Sequence, residues 1–344
     1  MIHAPRIASL RVLTPLVASL LAAACGSSET GTTATGTTGT TASSTTTGAG
    51  GSGGAGTTST TGSGGDATTS TTTTGSGGAM VIGGDRPVTI HVSPMYDPSK
   101  PAPLLVLLHG YGGTGMIQED LYFHLRTVTD QRGYIYAVAD GTTDASGKQF
   151  WNGTDACCNF GNPKVDDSAY LASVIQQIKA AYTIDPKRVY FAGHSNGGFM
   201  SYRMACDHAD QIAAIVSLAG ATFDDDSKCN PSEPVAVAQI HGDADETIAY
   251  TGGGFGGFTY PSAQKTVELW AAHDGCDLTT TQGPAKDLES SIAGAETVVS
   301  VYNSNCKPGG HVELWTVPGG KHIPKLSNDF KTQVIDFLDA HPKP

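Results

Sequence analysis

The sequence predicts an α/β fold, a mostly parallel central sheet with helices on both faces, and three observations carry that expectation. Short apolar runs alternate with longer helical patterns from residue 88 onward. One run, PLLVLLH (103–109), is almost unbroken in apolarity, as a strand covered on both faces must be. The helical patterns are long enough to cross over between parallel strands.

The elements follow in order. VTIHV (88–92) reads as an edge strand, and 103–109 as a buried strand ending in HGYGG. A helical segment is expected over 116–130, then the strand YIYAVA (134–139). In DDSAYLASVIQQIKAAY (166–182), Ala169, Ala172, Ile175, Ile178 and Ala181 recur about every third residue and predict one helix face. RVYFAG (188–193) is the next strand, with a helix over 196–208. IAAIVSLAG (212–220), VAVAQIHG (235–242), TVVSVY (297–302) and HVELWTV (311–317) read as further strands, with helices over 262–273 and 328–340. In such sheets ligands bind outside the carboxyl ends of the strands, so reactive side chains belong just after the strand runs.

The N-terminal part of the 344-residue chain has a different character. Residues 1–24 carry Arg6 and Arg11 ahead of an apolar, Leu/Ala-rich stretch ending in small residues, the shape of a secretory signal. LLAAAC followed by GSS resembles the lipobox of bacterial lipoproteins, which implies a lipid on Cys25; simple secretion is the alternative. Residues 25–84 are then an anchor cysteine followed by a disordered Thr/Gly/Ser-rich linker, too poor in apolar side chains to offset the entropy of ordering. Residues 85–344 are expected to form the folded domain, in which any catalytic residues would lie. The expected location is extracellular or cell-surface, with membrane contact only through Cys25.

Charge and cysteines agree with export. The formal net charge is −12. An acidic chain without Lys/Arg clusters argues against nucleic acid or an anionic membrane surface as partner. Seven cysteines less Cys25 leave Cys157, Cys158, Cys206, Cys229, Cys276 and Cys306, an even set that predicts three disulfides. Cys276 with Cys306 is the expected pair, and adjacent Cys157 and Cys158 are expected to have different partners. No CxxC spacing supports zinc. The Asp run 224–226 reads as a solvated loop, with calcium as the rival.

The segment VYFAGHSNGGFMS (189–201) sets a serine between glycines where a strand gives way to a helix. That context predicts a nucleophile elbow at Ser195, with Gly193 and Gly197 relieving a tight turn. A serine needs a base, and the base an orienting acid. After VAVAQIHG comes DADET, where Asp245 is the expected acid and Asp243 its neighbour in contention. After HVELWTV comes PGGKHIP, where His322 is the expected general base; His341 lies in a Pro-rich tail. Backbone N–H groups of Tyr111 and Asn196 are the expected oxyanion donors. His109 and His241 precede the oxyanion and acid loops and are expected to brace them. Tyr111 and Trp151 are aromatics on loops near the carboxyl edge, serving substrate contact or loop packing. Phe255 and Phe258 in TGGGFGGFTY (251–260) border the cleft or anchor their loop.

Residues 165–206, with LLHGYGG (107–113), WNGTDACC (151–158), SLAG (217–220), IHGDADETIAY (240–250), YPSAQKTVELWAAHDGC (260–276) and GGKHIP (319–324), resemble a known group. It is the secreted poly(3-hydroxybutyrate) depolymerase-like and feruloyl/acetylxylan esterase group, α/β-hydrolases related to carbohydrate esterase family 1. The resemblance implies the α/β-hydrolase fold and hydrolysis of a carboxylic ester without a cofactor or metal. It implies Ser195, Asp245 and His322 as triad, and feruloyl, acetyl or hydroxyalkanoate esters, some linked to polysaccharide, as substrates. Where many relatives have GHxWP, this chain has Ile323. A serine peptidase on the same scaffold and an inactive carbohydrate-binding module are the alternative functions.

Overall fold

The computed structural model describes residues 81–159 and 165–344. The signal-like stretch, Cys25 and the Thr/Gly/Ser-rich segment to residue 80 lie outside the described residues.

Nine strands form one mixed sheet: β1 (Thr89–Val92), β2 (Ala102–Leu108), β3 (Ile135–Ala139), β4 (Ile184–His194), β5 (Ala214–Leu218), β6 (Ala236–Gly242), β7 (Thr281–Gln282), β8 (Val298–Tyr302) and β9 (Val312–Val317). Their spatial order is β1-β3-β2-β4-β5-β6-β9-β8-β7. The central pairs from β3 to β9 are parallel, while β1 pairs with β3, and β8 with β9 and β7, antiparallel. The helices are α1 (Gly115–Gln118), α2 (Arg126–Gln131), α3 (Asp167–Ala181), α4 (Asn196–Asp207), α5 (Ala263–His273) and α6 (Phe330–Ala340).

Strand period two divides β2 between two apolar layers. Leu104, Val106 and Leu108 face the layer that holds α3, α4 and α5, through Leu171, Met200, Met204, Val267 and Trp270. Leu105 and Leu107 face the layer of α2 and α6, with Val128, Val334 and Leu338. Every residue of β2 is buried, as its unbroken apolarity requires.

Three expectations need correction, and two ribbons are additional. The segment 116–130 is not one helix: α1 leads into a π-helical turn at Glu119–Phe123, and His124 takes φ 53° before α2. Buried Glu119 accounts for the break, because its carboxylate accepts the N–H groups of Leu125 and Arg126 and the Tyr136 hydroxyl, holding the chain in a turn. The buried face of α3 is Leu171, Val174, Ile175 and Ile178, leaving Ala169 and Ala181 exposed. The larger side chains bury more area than alanines and so choose the face. Two short ribbons, Thr142–Thr143 with Gln149–Phe150 and Gly253–Phe255 with Phe258–Tyr260, have no long apolar run to announce them.

The third correction concerns the disulfides. Cys276 pairs with Cys306 as expected, but Cys157 and Cys158 are bonded to each other. Cys206, at the end of α4, meets Cys229 across a Cα separation of 5.2 Å. With those two pairs made, the adjacent cysteines have only one another among the described residues.

The start of α3 is tied to residues 81–88 by a half-buried ion pair. Arg86 Nη1 lies 2.6 Å from Asp167 Oδ1, a fully buried carboxylate, and its guanidinium stacks over the Tyr170 ring at 3.5 Å. Removing the cation would leave that charge uncompensated, so Arg86→Ala should lower unfolding stability by about 3–5 kcal/mol in urea titrations. A loss under about 1 kcal/mol would show that the pair is not what holds Asp167 there.

Candidate active site

Ser195 sits where β4 meets α4, with φ 54° and ψ −120°. Its N–H donates to the Leu218 carbonyl at the carboxyl end of β5. The turn is narrow enough to demand glycine on both sides. A Cβ on Gly193 would lie 2.2 Å from the Gly197 carbonyl oxygen, and one on Gly197 would lie 2.2 Å from that of Leu108. The hydroxyl is thereby lifted to the rim of the sheet.

His322 lies on the loop after β9, with Asp245 on the loop after β6. Nε2 of His322 is 2.9 Å from Ser195 Oγ, and Nδ1 is 2.8 Å from Asp245 Oδ2. Asp245 is also held by the N–H groups of Thr247 and Ile248 on Oδ1, and His241 Nε2 lies 3.4 Å from Oδ2. Burial opposes its charge, but the contacts with His241 and His322 and the backbone donors outweigh burial and hold the carboxyl well below the usual range. Asp243 has another occupation: its carboxylate accepts the Gly319 N–H at 2.6 Å and so ties the histidine loop to the acid loop. A Cβ on Gly242 would meet the Gly320 carbonyl oxygen at 2.1 Å, so these loops touch backbone to backbone.

The other histidines brace. His109 Nε2 accepts the Gly141 N–H, leaving Nδ1–H for the Gly110 carbonyl at 2.8 Å. His241 accepts from the Gln239 amide on Nδ1 and gives Nε2–H to the Ile248 carbonyl. His341 meets the Phe337 carbonyl at the end of α6. His194, the residue before the serine, escaped the sequence reasoning. Its Nε2 lies 2.9 Å from the His322 carbonyl oxygen, with ring centroids 5.0 Å apart, so it holds the backbone of His322. Its position inside G-x-S-x-G was the only available signal.

Asn196 is fully buried, its carboxamide turned to the backbone of Trp151, while its own N–H opens α4, where intrahelical partners are lacking. Tyr111 is half-buried and donates its hydroxyl to Asp144 at 2.6 Å. Trp151 does not meet the expectation of a substrate contact: it has no exposed surface and packs on His109 at 5.3 Å. An apolar ring at this depth fills the layer between sheet and helices. Phe255 stacks on Tyr260 and anchors its ribbon, whereas Phe258 is exposed. In the acidic run, Asp224 accepts from Thr259, Asp225 from Ser227, and Asp226 meets His273. Among the described residues no cluster of three His, Cys, Asp or Glu side chains is arranged to hold a metal, and no helix is long and apolar enough to cross a membrane.

Burial pushes the His194 imidazole down to about 3, with the neighbouring His322 adding to the shift. The unfolded chain therefore binds a proton that the folded chain refuses between pH about 3 and 6.5. Stability from this group is complete above 6.5 and falls with pH through that window, by about 1.4 kcal/mol per pH unit. Asp274, which burial pushes up to about 8, acts with the opposite sign as pH rises. Asp274 is common to wild type and His194→Gln, so their difference in unfolding free energy should shrink as pH falls from 6.5 to 3. A difference independent of pH would show that His194 is not kept neutral by the fold.

Comparison with known proteins agrees with this architecture. Residues 95–273 match the Phospholipase/Carboxylesterase family. Feruloyl esterase B of Piromyces equi is 31% identical over 249 residues, covering 68% of this chain and 42% of that protein. Feruloyl esterase D of Neurospora crassa is 25% identical over 254 residues, covering 70% of this chain and 75% of that protein. The chain thus spans less than half the length of the Piromyces relative. The acetyl xylan esterase from Aspergillus awamori shares the fold, with a TM-score of 0.53 at 17% identity, over 75% of this chain and 98% of that structure. The chain belongs to the Phospholipase/Carboxylesterase family, on the α/β-hydrolase fold.

Proposed function

We propose that the protein is an exported serine carboxylic-ester hydrolase that works through an acyl-enzyme on Ser195. The observation that carries this reading is the unbroken line of contacts from Ser195 Oγ to His322 Nε2 and from His322 Nδ1 to Asp245. Geometry of that kind lets the imidazole take the hydroxyl proton as Oγ bonds to the ester carbonyl carbon. Asp245, ionised and fixed by backbone donors, stabilises the imidazolium that forms.

In this reading the carbonyl oxygen becomes an oxyanion facing the N–H groups of Tyr111 and Asn196. Its collapse breaks the carbon–oxygen bond to the alcohol, which leaves with the proton from His322. Water then attacks the acyl-enzyme, giving its proton to His322, and the second collapse returns Ser195 with its hydroxyl. All groups needed for these steps belong to the chain.

Feruloyl or acetyl esters of plant polysaccharide are the favoured substrates, supported by relatives named feruloyl esterase and a Bifunctional acetylxylan esterase/xylanase of Neocallimastix patriciarum. Short hydroxyalkanoate esters are the second substrate class, resting on the sequence resemblance. Export is supported by three disulfides in the described domain behind a signal-like N-terminus.

The test is turnover of p-nitrophenyl acetate, methyl ferulate, hydroxybutyrate oligomers and a casein-derived peptide by the full chain and two variants. Ser195→Ala should abolish ester turnover, and Asp245→Asn should lower kcat by about 10⁴-fold, as expected when an imidazole loses its orienting carboxylate. Peptide cleavage without ester cleavage, or ester turnover that survives Ser195→Ala, would overturn the proposal.

A further inference from the structure

After β3, residues 141–158 make an excursion across the carboxyl edge of the sheet, and each end of it grips a different part of the site. At one end, the Gly112 N–H donates to the Gln149 carbonyl at 2.7 Å, and the Tyr111 hydroxyl donates to Asp144 at 2.6 Å. The ribbon pairing Thr142 with Phe150 and Thr143 with Gln149 makes these two anchors one unit. Lys148 completes the grip, with Nζ 5.4 Å from the centre of the Tyr111 ring.

At the other end, the fully buried Asn196 carboxamide makes a two-point pair with one peptide residue. Its Oδ1 accepts the Trp151 N–H at 2.7 Å, and its Nδ2 donates to the Trp151 carbonyl at 2.8 Å. Nδ2 also lies 3.6 Å from Cys157 Sγ, on the return limb of the excursion. Two antiparallel bonds fix orientation as well as distance, which one bond does not. The base of the excursion is pinned separately: the Gly141 N–H donates to His109, and the Asn152 N–H donates to Asp167.

We infer that the segment from Gly141 to Cys158 is a bracket setting the spacing between the two oxyanion donors, with the Asn196 carboxamide as its positioning group. This rests on the reading of Ser195 as nucleophile and of the Tyr111 and Asn196 N–H groups as donors. The physical need is specific. One donor sits in a loop containing Gly110, Gly112 and Gly113, glycines that bring no side chain of their own to hold it still, which leaves Tyr111 as its anchor. The other belongs to the first residue of α4. These donors come from different elements, and preorganisation requires that their separation not drift as charge develops on the oxygen between them. The bracket joins them through the Gln149–Trp151 stretch. Asp at position 196 would set a carboxylate against the Trp151 carbonyl, and Ala would leave both Trp151 polar groups without this partner.

The experiment compares the full chain with Asn196→Ala, Tyr111→Phe and Ser195→Ala on p-nitrophenyl acetate. Active sites are counted by burst titration with a p-nitrophenyl phosphonate. A trifluoromethyl ketone serves as the analogue of the tetrahedral intermediate. Asn196→Ala should lower kcat per titrated site by about 10–100-fold while KM stays within about 3-fold, a loss confined to the transition state. Affinity for the ketone should fall by the same factor as kcat/KM, with the pH midpoint of kcat unmoved. Tyr111→Phe keeps the ring but releases Asp144, and should show the same signature at about 3–10-fold. It remains informative if Asn196→Ala fails to fold. Variants whose kcat and ketone affinity stay within about 2-fold of wild type, with Ser195→Ala inactive, would overturn the bracket alone. Wild-type turnover by Ser195→Ala would overturn the reading of the site beneath it.

Discussion

The close approach of α4 to the strands beneath it is the constraint from which the site follows. At the end of β4 the chain must reverse into a helix with no room for a Cβ at Gly193 or Gly197, because carbonyl oxygens of Gly197 and Leu108 occupy that space. The residue between them is left at φ 54°, a conformation that costs a non-glycine residue about 1–3 kcal/mol. The sheet absorbs that cost by pairing Ser195 N–H with Leu218 and by burying α4 against its neighbours. A side chain presented on such a turn stands clear of its own backbone and faces the loops that follow β6 and β9.

Around that turn, buried histidines hold loops in place. His109 and His241 each have both ring nitrogens engaged, so the partners dictate the neutral tautomer. His194 meets the carbonyl of His322, so the residue before the serine holds the residue opposite it. Asp243 and Asp245, two positions apart, divide the remaining work: one ties loop to loop, the other faces the imidazole. Catalysis by an ester hydrolase of the proposed kind asks for such stiffness, since preorganised dipoles cost no reorganisation when charge moves.

The strand pattern was legible because buried parallel strands need near-continuous apolar runs; β2 and β3 have them, β5 and β6 depart from them only at buried Ser217, Gln239 and His241, and β9 is interrupted by half-buried Glu313 and Thr316. The same logic located Ser195, Asp245 and His322 just after strand ends. It failed where side-chain competition decides. The break at His124 depends on a distant Tyr136 meeting Glu119, and the face of α3 on which side chains bury more area. Trp151 stayed open between substrate contact and loop packing because composition does not say which side of a loop is covered.

Cysteine pairing marks the same boundary. An even set of cysteines beyond Cys25 is a property of the chain, but a partner is a property of distance. Cys206 and Cys229 meet only after α4 has packed on the sheet, and that meeting leaves Cys157 to Cys158. The sequence by itself determined the order of strands and helices, the tight glycine turn and the chemical types placed after each strand, because these rest on local periodicity and backbone sterics. Tertiary structure alone decided which aspartate faces His322, that His194 grips the loop opposite, and that Asn196 turns its amide to Trp151, because each depends on groups far apart in the chain arriving within hydrogen-bond range.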